Sequence, residues 1–374
     1  MRVLLTFVGG AGHLEPLLPV ARAVAAAGHE VAIAGSGNLM ARVADEGFTA
    51  LPTSEPRPVA TAGRDLAPLE AVDPRATEEE FAENFADRGA RRHVGAVPEH
   101  LRTWRPDVVV RDETDFGTAL ATELAGVPCA TALVLAAGTL SRPDLVRPRL
   151  EAIRSEQGLA PDPTLATLSR DLVPSPFPPS FRDPAAPLPP STFSYRPRPV
   201  APQARGGLVY ATLGTVFNTG CGDLLERLVA GLADVGAEAL LTVGRTVDPD
   251  DLGPRPANVT VERYVAQDEV LPRCALVVTH GGSGSLMGAL AHGLPCVLLP
   301  LGADQPHNAR RAAELGLATV LDAASLTPGD LTRAVTVALA DDALHDRARE
   351  VKAEIDALPG VAATVRRLEQ LVGP

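Results

Sequence analysis

Twice in this chain an uncharged, strand-like run ends in a glycine cluster and a helical repeat follows at once. That unit restricts the fold more than any other feature. At the start, residues 3–8 (Val-Leu-Leu-Thr-Phe-Val) carry no charge and Gly9-Gly10-Ala11-Gly12 ends the run. Leu14, Leu17, Leu18, Ala21, Val24 and Ala25 then recur at helical spacing up to Gly28. A run apolar on both faces is what a strand inside a parallel sheet requires, and a glycine closes a helix well. Residues 31–34 predict the second strand, 38–46 a short helix and 48–51 a third strand. Such alternation implies βαβ units with helices on both faces of a parallel sheet.

A segment dense in proline divides the chain. Residues 174–205 hold eleven prolines in 32 positions, which excludes a helix or a central strand and predicts a semi-rigid crossing between two halves. Gly206-Gly207 restarts the alternation, with strands expected at 208–213, 239–243, 259–265, 276–279, 296–299 and 318–321. A last helix over 361–371 follows Pro359-Gly360. In the first half, 54–75 reads as a mobile loop, 78–104 as a helix interrupted at Pro98, and 107–111 and 129–135 as strands. The expected fold class is therefore α/β, with two Rossmann-like domains of similar size. Ligands in such sheets lie beyond the carboxyl ends of the strands.

Composition removes several functions. A length of 374 residues favours two domains. The formal charge is −12, and no Lys/Arg run exceeds two residues (Arg91-Arg92, Arg310-Arg311, Arg366-Arg367), so no nucleic-acid or anionic-membrane partner is expected. Cys129, Cys221, Cys274 and Cys296 lie far apart among apolar or small residues, as buried reduced thiols of a cytoplasmic protein do. No apolar run approaches 18 residues, and residues 1–8 are too short for a signal sequence, so no membrane span is expected.

Four constellations carry chemistry. Gly9-Gly10-Ala11-Gly12-His13 lacks the glycine spacing of a dinucleotide site, and Gly35-Ser36 stands where an acidic residue should meet the ribose. What remains is a turn presenting His13 at a helix start, where the dipole favours a neutral, proton-accepting imidazole. Arg111-Asp112-Glu113-Thr114-Asp115 ends a strand of the same half. Asp112 or Glu113 could hold the tautomer of His13 as a triad acid does, while Asp112 or Thr114 could instead cap the helix near Phe116. His280-Gly281-Gly282-Ser283-Gly284-Ser285 follows a strand and opens a helix, a phosphate cradle without a lysine. Asp304 and Gln305, before Pro306-His307-Asn308, suit sugar hydroxyls or, on the plainer reading, a helix cap. Asp248-Pro249-Asp250-Asp251 reads as a solvated turn rather than a metal site, and the scattered histidines, His93 included, lack zinc-ligand spacing.

Tyr264-Val265-Ala266-Gln267, His280-Gly281-Gly282-Ser283-Gly284 and Asp304-Gln305-Pro306-His307-Asn308-Ala309 together resemble the donor-binding signature of the GT-B glycosyltransferases of family 1, bacterial antibiotic branch. Gly12-His13 with Pro16, and Val110-Arg111-Asp112, resemble that family's N-terminal motifs. The resemblance implies two parallel sheets facing a central cleft. Its domains would be an N-terminal acceptor domain (1–195), a proline-rich linker (196–206), a nucleotide-sugar domain (207–357) and a C-terminal helix (358–374) packing back on the first. It further implies His13 as general base, Asp112 as its acid partner, and Thr215, His280, Gly282, Ser283, Gly284 and Ser285 on the donor diphosphate. Tyr264 and Val265 would meet the base, and Asp304 and Gln305 the sugar. The implied reaction is an inverting, metal-independent transfer without cofactor, from a dTDP-deoxysugar in preference to a UDP-sugar, to a small natural-product acceptor such as a polyketide aglycone. A homodimer is one assembly open to it. A nucleotide-sugar 2-epimerase and a silent binding protein of the same fold are the alternatives. The departures are Tyr264 and Ala266 where Trp or Phe and Pro are common, Ser285 where Thr is common, and a short chain.

Overall fold

The computed structural model describes residues 1–57, 64–200, 206–214 and 220–373. The chain forms two compact units, Met1–Val59 with Arg75–Pro199 and Leu358–Pro374, and Ala60–Pro74 with Val200–Ala357. In the first, strands β1 (Arg2–Thr6), β2 (Glu30–Gly35), β3 (Thr49–Pro52), β4 (Val108–Asp112) and β5 (Cys129–Ala132) make a parallel sheet in the order β3-β2-β1-β4-β5. A two-stranded parallel pair, β6 (Val173–Ser175) and β7 (Thr192–Ser194), belongs to the same unit. The second unit holds β8 (Leu208–Thr212), β9 (Ala239–Thr242), β10 (Val259–Glu262), β11 (Cys274–Thr279), β12 (Cys296–Leu298) and β13 (Ala318–Val320), all parallel, in the order β10-β9-β8-β11-β12-β13.

Both sheets show why the apolar runs are continuous. Val3 and Leu5 of β1 pack on one side with Leu18, Ala21 and Val24 of the helix Leu18–Ala26, and with Val365 and Leu368 of the terminal helix Ala362–Val372. Leu4 faces the other layer, with Val97 and Leu101 of the helix Ala90–Trp104. Each buried valine or leucine among these contributes about 1.5–3 kcal/mol. The terminal helix is thus part of the first unit's core, and Arg196 N–H donating to the Pro359 carbonyl (2.8 Å) marks where the chain returns to that unit. The second unit is built likewise around Val209, Ala211, Leu241, Leu276, Val278 and Val297, closed by Leu331 and Val335.

Three expectations need correction. Within the proline-dense segment, residues 174–195 are not a crossing: Phe177, Phe181 and Tyr195 are buried, and Thr131 and Leu133 N–H donate to the carbonyls of Leu172 and Pro174 beside β5. Extended backbone with fixed φ suits such a lining as well as it suits a linker. Pro98 does not interrupt its helix, which runs from Ala90 to Trp104 through it. Residues 64–74, read as part of a mobile loop of the first half, pack on the second unit, where Arg64 clasps Glu226 (2.6 and 2.8 Å) and Leu69 joins the core. Thr215 and residues 58–63 lie outside the described residues.

All four cysteines are buried and free, and burial pushes the thiols of Cys274 and Cys296 up to about 12. Among the described residues no helix is long and apolar enough to cross a membrane, and no group of three His, Cys, Asp or Glu side chains could hold a metal ion.

Candidate active site

Register brings the first pair together. Thr6 at the end of β1 lies opposite Arg111 of β4, so the chains leaving these strands emerge side by side. One continues through Gly9 and Gly10 into the short helix Ala11–Leu14, and the other enters the turn Asp112–Asp115. His13 Nδ1 lies 3.1 Å from Asp112 Oδ2. Asp112 is fully buried, whereas the His13 side chain keeps 19 % of its exposure, so one end of the pair is fixed and the other reachable. Gly9 makes the approach possible: its φ is +105°, and a Cβ there would stand 2.8 Å from the imidazole. Phe85, on a π-helical stretch (Ala82–Gly89), lies 5.0 Å from the ring, a neighbour no sequence motif announces.

The turn itself is heavily bonded. Asp112 Oδ1 accepts from the Thr114 N–H (2.5 Å) and hydroxyl (2.7 Å), and Oδ2 accepts from Val8 N–H (3.3 Å). The buried Arg111 guanidinium donates to the carbonyls of Asp112, Glu113 and Leu168. Helix capping falls to Asp115, which accepts from Thr118 N–H (3.1 Å), and not to Asp112 or Thr114. Glu113 turns away: its Oε1 accepts from Val134 and Leu135 N–H (2.6 and 2.5 Å). Burial raises its carboxyl above the ordinary range, against the pull of Arg182 and those two amides. Between the two carboxylates left open by sequence, Asp112 is the partner of His13.

Behind this pair lies a second one. His93 Nδ1 is 3.0 Å from Asp115 Oδ1, and both are fully buried. Burial pushes Asp115 up, but His93 and the hydroxyls of Thr6 and Thr118 outweigh it and hold the carboxyl at about 2. His93, set aside on spacing, therefore braces the turn. Its 22-residue separation from Asp115 leaves no sequence pattern.

The second unit repeats the arrangement. Thr279 of β11 lies opposite Thr212 of β8 and Leu298 of β12. This brings Gly214, His280 and the segment before the helix Gln305–Glu314 to one sheet edge. His280 is buried, with Nδ1 3.1 Å from Thr279 Oγ1. Burial drives its pKa down to about 4, although Asp304 and a backbone hydrogen bond at Thr212 act the other way, so the ring is neutral at neutral pH. Gly282 caps the helix Ser283–Ala291, whose first turn contains Gly284 and Ser285. Amides there have no acceptor within the helix and form the positive end of its dipole.

Asp304 holds this cradle together. Its Oδ2 accepts from Ser283 N–H (3.1 Å), Ser283 hydroxyl (2.6 Å) and Asn308 Nδ2 (2.8 Å). It occupies the cap position of its own helix yet accepts no backbone N–H there, taking the first amide of the neighbouring helix instead. Asn308, which carried no assigned role, also donates to the Gly281 carbonyl (3.0 Å). Gln305 is buried and accepts from Leu301 N–H through Oε1 (2.7 Å), and Gln267 donates to Ser285 Oγ (3.2 Å). Tyr264 follows β10, half exposed, with the Arg245 guanidinium 4.4 Å from its ring centre. With Arg263 these residues line an open cavity of about 710 Å³, and Val265 is half-buried beside it.

Two Rossmann-type parallel sheets, with a His–Asp pair at the carboxyl edge of one and a glycine-rich helix start at that of the other, are the architecture of GT-B glycosyltransferases. Residues 226–371 match the family of erythromycin biosynthesis protein CIII-like C-terminal domains. The chain is 30% identical over 401 residues to demethyllactenocin mycarosyltransferase of Streptomyces fradiae, covering 97% of this chain and 85% of that one. Among solved structures it resembles the glycosyltransferase SnogD of Streptomyces nogalater (28% identity, TM-score 0.76, 100% and 99% of the two chains). It also resembles the spinosyn rhamnosyltransferase SpnG complexed with thymidine diphosphate (27%, TM-score 0.77, 98% and 100%). The chain belongs to the family 1 GT-B glycosyltransferases, in the branch that acts on natural products.

Proposed function

We propose that this protein transfers a deoxysugar from dTDP to a small natural-product acceptor with inversion at the anomeric carbon. The observation that carries the reading is the 3.1 Å contact of His13 Nδ1 with the buried Asp112. Asp112 accepts a hydrogen bond from Nδ1–H, so Nε2 is the basic nitrogen. It takes the proton of the acceptor hydroxyl as that oxygen bonds to the anomeric carbon and the bond to the diphosphate breaks. General-base assistance of this kind is worth about 10²–10⁴-fold, and Asp112 balances the imidazolium that forms.

The leaving diphosphate is assigned to His280 and to the first-turn amides of Gly284 and Ser285, which meet its charge without a metal ion. Thr215 is assigned to the same group, and Tyr264 and Val265 to the base. Asp304 and Gln305 are assigned to the sugar through Oδ1 and Nε2, since Oδ2 and Oε1 already serve the cradle and Leu301 N–H. Thymidine is favoured over uridine because SpnG is crystallised with thymidine diphosphate.

Purified enzyme with a panel of dTDP-deoxysugars and polyketide-type acceptors tests this. A glycoside with anomeric configuration opposite to the donor, by NMR, is expected, together with tighter calorimetric binding of dTDP than of UDP. Retention would remove the single-displacement mechanism, and tighter UDP binding would reassign the base.

A further inference from the structure

Thr114 is fully buried, and its hydroxyl touches both members of the His13–Asp112 pair: Oγ1 lies 2.7 Å from Asp112 Oδ1 and 3.1 Å from His13 Nδ1. A hydroxyl has one proton to give. The shorter contact to a carboxylate claims it, so towards His13 the same oxygen can only accept. Nδ1 must then carry the hydrogen, shared between Asp112 Oδ2 and Thr114 Oγ1, and the lone pair is confined to Nε2. The Thr114 amide also donates to Oδ1 (2.5 Å), so one residue fixes one carboxylate oxygen from two directions while the other faces the imidazole.

We infer that Thr114 is a positioning residue for the proton transfer, orienting the Asp112 carboxylate and enforcing the His13 tautomer through its hydroxyl. The inference rests on His13 acting as the base. The hydroxyl gives the reacting imidazole a second acceptor at the moment it becomes charged, and a side chain of equal shape without oxygen would not.

Thr114→Val should lower kcat about 10-fold or more with an aliphatic alcohol acceptor, the size of one lost hydrogen bond to a charged group, while the donor KM changes less than twofold. With a phenol acidic enough to ionise at the assay pH the loss should nearly vanish, because no base is then needed. Thr114→Ser should recover the alcohol rate to within a few-fold. Thr114→Ala serves in place of the valine variant should that fail to fold. Equal losses with both acceptors, or no recovery by serine, would mark a packing role and overturn the inference. His13→Ala in the same assay separates the two readings. If it is slow with the alcohol while Thr114→Val matches wild type, only the role of Thr114 falls; if it is itself fully active, the base assignment falls and the Thr114 inference with it.

Discussion

Gly282→Ala tests whether the second unit's cradle depends on the placement of one imidazole. Gly282 has φ −61° and ψ 145°, a conformation open to any residue, so alanine adds no backbone strain. Its Cβ would nevertheless stand 2.7 Å from His280 Nε2, where ordinary contact begins at 3.4 Å, so the ring must yield by 0.7 Å (3.4 − 2.7). It cannot retreat freely, because a Cβ on Gly214 would lie 2.7 Å from Cε1 and 2.8 Å from Nε2: the ring is clasped between two glycine backbones. A shift of that size stretches a hydrogen bond of about 2.9 Å past its useful limit. A bond from His280 to a diphosphate is worth about 1.5–3 kcal/mol, so dTDP should bind about 10- to 100-fold more weakly by calorimetry. Adding Gly282→Ala to His280→Ala should cost no more than about two- to threefold further, since the obstruction has gone. Gly214→Ala should weaken binding comparably and also destabilise the fold by about 1 kcal/mol, because its φ is +75°. Unchanged dTDP affinity in Gly282→Ala would show that binding does not depend on where the His280 ring sits. An equal loss in the His280→Ala background would instead make the glycine a site of direct phosphate approach.

Acid should expose the burial of His280. Its folded pKa of about 4 lies below the ordinary 6.5, so the unfolded chain takes up the proton first. The stability it contributes is complete above about pH 6.5 and is lost as pH falls towards 4, about 3 kcal/mol in all. Urea unfolding at pH 7 and pH 4.5 should show wild type losing stability relative to His280→Asn at low pH, and parallel curves would contradict it. Asp112→Asn should lower kcat at least 10-fold with an alcohol acceptor, and the double variant with His13→Ala should be barely slower than His13→Ala alone. Additive losses would show Asp112 acting independently of His13.

What could be read from sequence follows from what each feature depends on. Strands buried on both faces must be unbroken apolar runs, so β1, β4, β8 and β11 were legible, as were the turns after β1 and β11 that carry His13 and His280. Proline fixes φ but does not say whether an extended segment spans open solvent or lines a core. Phe177, Phe181 and Tyr195 were the signal that residues 174–195 pack down. The site's supporting contacts were not legible, because they join residues brought together only by sheet register and helix packing. Asp304 meets Ser283 across 21 residues, and Thr53 and Thr118 reach His93 from different elements. The choice of Asp112 over Glu113 needed the turn geometry, in which adjacent carboxylates point to different neighbours.

Whether His13 removes the acceptor's proton is read from the kcat of His13→Ala with an aliphatic alcohol acceptor. The acceptor should be one that wild type glycosylates, with dTDP affinity measured on the same preparation. If His13 is the base, kcat falls about 10²-fold or more with nucleotide affinity within twofold of wild type. A variant that turns the same alcohol over at the wild-type rate would contradict it and move the base elsewhere in the first unit.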